Sequence, residues 1–162
     1  MTSVRNWINI TESVIDISAI THEMRDRLVA EYNQTPREIN TGRCMEFCEE
    51  LEREHPDLFE SYELGNFYNH NYTAGEDAGD ATGFDVDLIT QHFPNWKLPA
   101  DFTWDEAFND CGLNWTGTHV WAYCKYNSLC YDIENPEGVQ NVFELEFFKR
   151  IFDYCRSKRN KG

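Results

Sequence analysis

The sequence lacks the long apolar run that a membrane-spanning helix requires. None of its 162 residues belongs to an uninterrupted apolar stretch of the necessary length, which is about 18 residues or more. The first residues, MTSVRNWINITESVID, also lack the basic segment and apolar core of a secretory signal. We therefore expect a cytoplasmic protein with no membrane partner.

Internal repeats, low-complexity tracts and linkers rich in proline and glycine are absent as well. Hydrophobic residues make up 41% of the chain and aromatic residues 15%, which is far from the composition of a disordered protein. A chain of this length can bury a core of its own. We therefore predict a single domain over residues 1–162.

Basic residues are scarce. The chain has 14 Lys and Arg against 29 Asp and Glu, a net charge of −15, and the segment 149–162 is its one clearly basic stretch. Such a surface repels nucleic acid, so we expect no nucleic-acid partner. Two interpretations stay open: an acidic surface that only keeps the protein in solution, and a surface that binds a basic protein, as an inhibitor or DNA mimic does.

The sequence also lacks the paired spacings of metal sites. It has no C-x-x-C or H-x-x-x-H pair, and the loop GEDAGDATGFDVD (75–87) does not match a calcium-binding loop. We therefore expect no metal and no cofactor. Because there is no export signal, we expect free thiols rather than disulfides. The six cysteines are Cys44, Cys48, Cys111, Cys124, Cys130 and Cys155.

Helical periodicity marks the first third of the chain. A helix is predicted from Thr21, its N-cap, to about Gln34, where Thr35-Pro36 ends it. A second helix is predicted over 42–54, with Asn40 or Thr41 as its cap. Its apolar positions follow the spacing i, i+3, i+4, i+7. They are Cys44, Phe47, Cys48 and Leu51.

The second half changes to a period of two. THVWAYCKY and SLCYDI flank a turn near 126–128 and predict an antiparallel hairpin. Val120 and Ala122 share one face, His119 and Trp121 the other, and Cys124 is expected to face Cys130 across the hairpin. Other predicted elements are a strand or irregular stretch at 58–72, short helices at 85–93 and 104–111, a turn at NPEG (135–138), and a helix at about 143–158. This order predicts an α+β domain.

Cys44 stands where a helix can activate a thiol. The N–H groups at a helix N-terminus lower a thiol pKa, and they can also stabilise an oxyanion. A nucleophilic cysteine needs a base, and His119 is the one histidine of five inside a convincing strand. The alternatives are a buried structural cysteine and a buried histidine with no catalytic role.

A catalytic histidine needs a carboxylate that orients its ring. The length of the hairpin turn determines whether Asp132 or Glu134 lies within reach of His119. With a two-residue turn, Asp132 lies opposite Tyr123, about 13 Å along the strand from His119. With a wider turn over 125–128, Asp132 lies opposite Trp121 and within reach of His119. In that register Glu134 lies opposite His119. Asp132 is therefore the first candidate and Glu134 the second.

Together these motifs resemble the core of papain-like cysteine hydrolases. They are G-x-C opening a helix, H-V-W on a strand and Y-D on the next. HVWAYCKYNSLCYD is most similar to transglutaminase-like members, and small phage and bacterial proteins have a similar pattern. The resemblance implies a nucleophile helix packed on a small antiparallel sheet, a C-terminal helix, and a Cys44-His119-Asp132 triad. It implies a hydrolase or acyltransferase for amide or ester bonds in a protein or peptide.

Two further residues are candidates for contacting the substrate. The side-chain amide of Asn40 is an oxyanion donor if it does not cap the helix. Trp121 is a candidate wall of the substrate cleft, together with Trp104 and Trp115. The competing function is a non-enzymatic acidic interaction protein that keeps this or another α+β scaffold without the chemistry.

Overall fold

Helices pack against both faces of a small sheet. In a computed structural model of the protein, the described residues form five α-helices and one antiparallel four-stranded sheet. The predicted α+β class is confirmed. No helix in the described parts of the chain has both the length and the apolar character to cross a bilayer. The residues described are 15–63, 93–111, 113 and 119–161.

The first helix, α1, spans Ile17–Tyr32 and begins earlier than predicted. Asp16 caps it by accepting a hydrogen bond from the N–H of Ala19 at 3.0 Å. Thr21, the predicted cap, is buried inside the helix, where its hydroxyl donates to the carbonyl of Pro136 in the sheet. The prediction for Thr21 is therefore wrong, because this hydroxyl joins the helix to the sheet.

A short helix that the sequence did not predict, α2, spans Pro36–Gly42. Thr35 caps it by accepting from the N–H of Glu38 at 3.2 Å, and a proline fits the first turn of a helix. Asn40 and Thr41 lie inside α2. The prediction that one of them caps the following helix is therefore wrong.

The third helix, α3, spans Cys44–Glu54 and agrees with the prediction to within two residues. Arg43 alone separates it from α2, and the Arg43 side chain makes no capping hydrogen bond. Phe47, Cys48 and Leu51 are fully buried, as the periodicity predicted. The polar face carries the glutamates, so the sequence pattern fixes which side of α3 packs against the sheet.

The sheet has the strand order β1-β2-β3-β4, with every neighbouring pair antiparallel. The register of the β2–β3 hairpin pairs Ala122 with Tyr131 and Tyr123 with Cys130. This corresponds to the wider turn over 125–128. The strands are β1 Phe59–Glu63, β2 Val120–Cys124, β3 Cys130–Asp132 and β4 Asn135–Val139.

The segment NPEG, predicted as a turn, forms most of β4. Pro136 is tolerated because β4 lies at the edge of the sheet, where a missing N–H breaks no ladder. Gly138 has a φ of 79°, and a Cβ at this position would lie 2.7 Å from the Tyr131 ring. The prediction of a turn at NPEG is therefore wrong, and the chain reverses at 133–134 instead.

Two apolar cores fill the opposite faces of the sheet. Val120 and Ala122 belong to the core under α1–α3, whereas Trp121 belongs to the other core. The predicted alternation along β2 is confirmed. Cys124 and Cys130 belong to different cores, so the prediction that they face each other is wrong. In the observed register Cys130 pairs with Tyr123, and adjacent residues of a strand point to opposite faces.

The second core is closed by the C-terminal part of the chain. Helix α4 spans Trp104–Asn109, within the predicted helix at 104–111. A single turn of 3₁₀ helix at Val142–Glu144 precedes α5, Glu146–Lys161, so the last helix begins later than predicted. The residues of this region that share one side by helical spacing are buried, namely Leu145, Phe148, Phe152 and Cys155.

Two of the six cysteines are joined. Cys111, which follows α4, forms a disulfide with Cys155 on α5, and their Cα atoms are 5.5 Å apart. The expectation of free thiols is therefore wrong for this pair. The two residues are separated by 44 positions, so only the packing of α5 against the segment after α4 brings them together. Cys44, Cys48, Cys124 and Cys130 belong to no disulfide.

Candidate active site

Cys44 is the first residue of α3 and lies at a surface groove. Its side chain is partly buried, between the open groove and the core below α3. The groove has a volume of about 410 Å³. Its lining comes from the α2–α3 junction, the histidine before β2 and the start of α5: Asn40, Thr41, Gly42, Arg43, Cys44, Met45, Glu46, His119 and Phe147.

The surroundings of Cys44 favour its thiolate. Burial is the largest single influence and acts to raise the thiol pKa, but hydrogen bonding with His119 and with the backbone N–H of Val120 acts against it. The positive charge of His119 and the N–H of Cys44 itself act in the same direction, so the pKa falls below its ordinary value. The position at a helix start contributes as predicted.

Cys48 differs from Cys44 although both lie on the buried side of α3. It is fully buried, and burial, followed by the nearby charges of Asp132 and Cys44, raises its pKa well above the ordinary value of a thiol. A neutral buried thiol packs like a small apolar side chain. The two cysteines of the motif therefore have different environments.

His119 lies directly before β2 and is only 1% exposed. Its Nε2 is 3.1 Å from Oδ2 of Asp132, so Nδ1 is the ring nitrogen that the carboxylate does not engage. Burial is the largest influence and acts to lower the imidazole pKa, but hydrogen bonding to Asp132 and Cys44, together with their charges, raises it overall. The lowered pKa of Cys44 and the raised pKa of His119 together favour a thiolate beside an imidazolium.

Phe147, at the start of α5, covers the histidine ring. The two rings are stacked with centroids 3.8 Å apart and planes 8° apart. Phe147 also lines the groove, so it covers one side of the imidazole while forming part of the groove wall. The sequence motifs did not indicate this residue. Its one signal was its position beside Phe148, which the helical spacing assigned to the core.

Asp132, the last residue of β3, is fully buried and held on both oxygens. Its Oδ1 accepts the backbone N–H groups of Glu134 and Asn135, each at 3.0 Å. Its Oδ2 faces the His119 ring and the side-chain amide of Asn40, both at 3.1 Å. Three donors besides the histidine therefore fix the carboxylate in place.

Asp132, rather than Glu134, is the carboxylate that contacts His119. The chain turns directly after β3, and this redirects Glu134 toward α5. There its two oxygens accept from the Arg150 guanidinium, both at 2.6 Å. The wider turn predicted Asp132 opposite Trp121, in line with this contact. It also placed Glu134 opposite His119, which would require β3 to continue beyond Asp132.

Asn40 lies behind the carboxylate rather than at the thiol. Its amide nitrogen donates to Oδ2 of Asp132 at 3.1 Å and to Oε1 of Glu134 at 2.8 Å. An amide NH₂ has two hydrogens, and both have acceptors within the protein. The predicted role of Asn40 as an oxyanion donor gains no support from this placement, since that role needs a hydrogen directed at the substrate.

Trp121 lies in the second core. It is 1% exposed, its ring is 5.7 Å from that of Trp96 and 6.0 Å from that of Phe148, and it does not line the groove at Cys44. The predicted contact with substrate gains no support here either. Trp104 packs on Phe143 in the same core, and Trp115 lies outside the described residues.

Within the described ranges, no group of three His, Cys, Asp or Glu side chains is arranged to hold a metal ion. Searches of protein-family models, curated proteins and solved structures found no match to this chain. The function of the site is therefore inferred from its own residues.

Proposed function

We propose that this protein is a cysteine-dependent hydrolase or acyltransferase acting on an amide or ester bond. The observation that carries the proposal is that Cys44 and His119 line one groove, and that Nε2 of His119 is 3.1 Å from Oδ2 of Asp132. A nucleophile, a base and an orienting carboxylate in contact are the parts that covalent acyl transfer requires. The sequence pattern by itself indicates the same three residues.

The architecture supports a papain-like core for the same proposal. The nucleophile opens α3, this helix packs on the sheet, and the histidine stands at the start of the inner strand β2. The orienting carboxylate lies on the adjacent strand β3. This arrangement matches the one that the sequence resemblance implies, with a C-terminal helix closing the other face.

In the proposed reaction, the Cys44 sulfur attacks the carbonyl carbon of the substrate. The thiol proton passes to Nδ1 of His119, and the carbonyl electron pair moves onto oxygen. The open first turn of α3 is the candidate source of N–H groups for this oxyanion. As the carbonyl re-forms, the bond to the leaving amine or alcohol breaks, and His119 returns the proton to that group. An acyl thioester on Cys44 remains.

The second half of the cycle releases the acyl group. Water or an acceptor amine attacks the thioester carbonyl while His119 removes a proton from it. The carbon–sulfur bond then breaks, and the sulfur leaves as a thiolate that takes up the proton held by His119. Water gives a carboxylic acid, and an amine gives a new amide. The groove is open to solvent and lined by the half-exposed Met45, which suits a peptide segment as substrate.

The direct test is selective acylation of Cys44. With para-nitrophenyl acetate, wild-type protein should release a burst of nitrophenol matching the protein concentration, and mass spectrometry should place one acetyl group on Cys44. His119→Ala should abolish the burst because the thiol loses its base. A matched control is His55→Ala, since His55 packs on Phe59 away from the groove. An acetyl group found on other cysteines, or a burst that His119→Ala leaves intact, contradicts the proposal.

The pH dependence of iodoacetamide alkylation gives a second measurement. Because the pKa of Cys44 is lowered, its alkylation should reach half of the maximal rate below the ordinary thiol value of about 8.5. In His119→Ala the midpoint should move upward relative to wild type, since the histidine no longer opposes burial, which raises the pKa. Identical midpoints in the two proteins would remove the evidence for a Cys44–His119 pair.

The net charge of −15 favours one competing function, a non-enzymatic protein that binds a basic partner. This alternative predicts a complex with a basic protein, such as a histone, that weakens steeply with salt and survives Cys44→Ala. The enzyme proposal predicts that the same substitution removes acylation completely. Measuring acylation and binding to the basic protein on Cys44→Ala therefore separates the two functions.

A further inference from the structure

Three polar side chains behind Asp132 come from three separate elements. Asn40 belongs to α2, Glu134 to the β3–β4 turn and Arg150 to α5. Asn40 donates one amide hydrogen to Asp132 and the other to Glu134, and Arg150 holds both oxygens of Glu134 at 2.6 Å. An unbroken chain of hydrogen bonds therefore runs from α5 to the His119 ring.

This series of hydrogen bonds is shielded from solvent along most of its length. Asn40 is 1% exposed and Asp132 is fully buried, while the Glu134 side chain is 9% exposed and that of Arg150 29%. Partial burial makes such charge-assisted hydrogen bonds stronger and more directional than exposed ion pairs. Arg150 is therefore placed to hold Glu134 in one position.

The charged groups joined through Asn40 partly offset one another. Glu134 shares the Asn40 amide with Asp132, and two adjacent carboxylates repel each other. Arg150 offsets the charge of Glu134, with Arg37 as a weaker positive neighbour. Glu146 is the other acid close to Arg150, and Cys44 and His119 complete the set of titratable groups on the opposite side.

We propose that Glu134 and Arg150 act as positioning residues for the Cys44–His119 pair. Through Asn40 they hold the Asp132 carboxylate against His119, and Arg150 cancels the charge of Glu134 so that Asp132 is the dominant carboxylate acting on the imidazole. This inference rests on the proposed function, since it assigns roles to residues that touch neither the thiol nor a substrate. It adds Arg150, which the sequence did not indicate, to the functional residues.

Removing either partner changes the local charge in opposite directions. Glu134→Gln leaves Arg150 uncompensated, and the added positive charge favours the thiolate and disfavours the imidazolium, so the pKa values of Cys44 and His119 both fall. Arg150→Gln leaves Glu134 uncompensated, and both pKa values rise. A side chain that only supports the fold would not produce shifts of opposite sign.

The experiment measures the iodoacetamide alkylation rate of Cys44 as a function of pH. Relative to wild type, the midpoint should move down by roughly half a pH unit in Glu134→Gln and up by a similar amount in Arg150→Gln. The double variant Glu134→Gln/Arg150→Gln removes one charge of each sign and so keeps the wild-type net charge, and its midpoint should return close to that of wild type. Arg150→Lys keeps the charge but loses the paired geometry, so its midpoint should not move while its maximal rate falls.

Shifts of the same sign in the two single variants, or no shift in either, would overturn the inference. If Arg150→Gln does not fold, Glu134→Gln and Arg150→Lys still test the inference. The alkylation midpoint must move down in Glu134→Gln and must stay unchanged in Arg150→Lys. Failure of the proposed function has a different signature, since wild-type Cys44 would then react independently of His119. A reactive, His119-dependent Cys44 with unmoved midpoints would therefore refute only the roles of Glu134 and Arg150.

Discussion

Gly42 is a residue whose identity the fold itself does not require. A Cβ at this position would meet nothing within 4 Å, and the backbone is outside the left-handed region that favours glycine. Glycine is a poor helix former, yet Gly42 ends α2 and lines the groove beside Cys44. The absent side chain therefore leaves the groove open beside the thiol.

Gly42→Ala should separate stability from activity. We expect the free energy of unfolding to stay constant or to rise by up to about 1 kcal/mol, because alanine restricts the unfolded chain and favours helix. Acylation of Cys44 by a peptide-sized substrate should slow because the new methyl group occupies the groove. The measurements are urea unfolding and the acylation rate.

The matched control for this substitution is Gly138→Ala. That glycine has a φ of 79° and lies under the Tyr131 ring, so alanine there should destabilise the fold by roughly 1–3 kcal/mol. Loss of stability in Gly42→Ala, or acylation at the wild-type rate with peptide-sized substrates, would contradict the role assigned to Gly42.

At the residue scale, the sequence indicated the three side chains of the proposed triad but not their supporting contacts. Cys44 and His119 could be selected because their chemistry depends on local position, a helix start and a strand. The partners of Asn40 could not be predicted, since its contact with Asp132 crosses 92 positions of the chain. A side-chain amide also serves equally well as cap, oxyanion donor or bridge until its neighbours are known.

At the scale of elements, the disulfide fastens α5 to the segment after α4. It links positions 44 residues apart, and closing a loop of that size lowers the entropy of the unfolded chain. Cys111→Ser should therefore lower the free energy of unfolding by roughly 2–4 kcal/mol. Cys111 is the better position to change because Cys155 is also part of the second core.

The measurement for this prediction is urea unfolding with and without a reducing agent. The reductant should shift the wild-type midpoint to that of Cys111→Ser and leave the variant itself unaffected. A wild-type midpoint that does not respond to reduction, with the thiols verified as free by mass spectrometry, would show that the bond adds no stability.

Periodic elements were predicted better than irregular ones. The hairpin, α3 and the buried side of α5 follow from apolar spacing, which reflects the burial of one face. The NPEG segment was mistaken for a turn because Pro136 and Gly138 have turn propensity. Its position at a sheet edge, which makes the proline acceptable, is a property of the whole sheet and is absent from local sequence.

At the scale of the molecule, the acidic excess works against compactness. A net charge of −15 on a folded chain of this size produces self-repulsion that salt screens. Raising NaCl from a low value to about 0.2 M should therefore raise the melting temperature by roughly 2–4 °C, equivalent to about 1 kcal/mol.

The control for the salt prediction is the same experiment close to the isoelectric point, where the effect should largely disappear. A melting temperature that falls with salt at neutral pH would mean that attractive ion pairs outweigh the repulsion. The pair of Arg156 with Asp101, with a shortest distance of 2.7 Å, is the kind of contact that would be responsible.

The residues of the site are added to the chain at different times during synthesis. Cys44 emerges early, whereas His119 and Asp132 follow much later, and Phe147 and Arg150 come later still. Until β2 is made, the growing chain therefore carries a cysteine without His119 and the N–H of Val120, two of the groups that lower its pKa. The lowered pKa of Cys44 is thus a property of the folded domain and not of the isolated motif in which the cysteine stands.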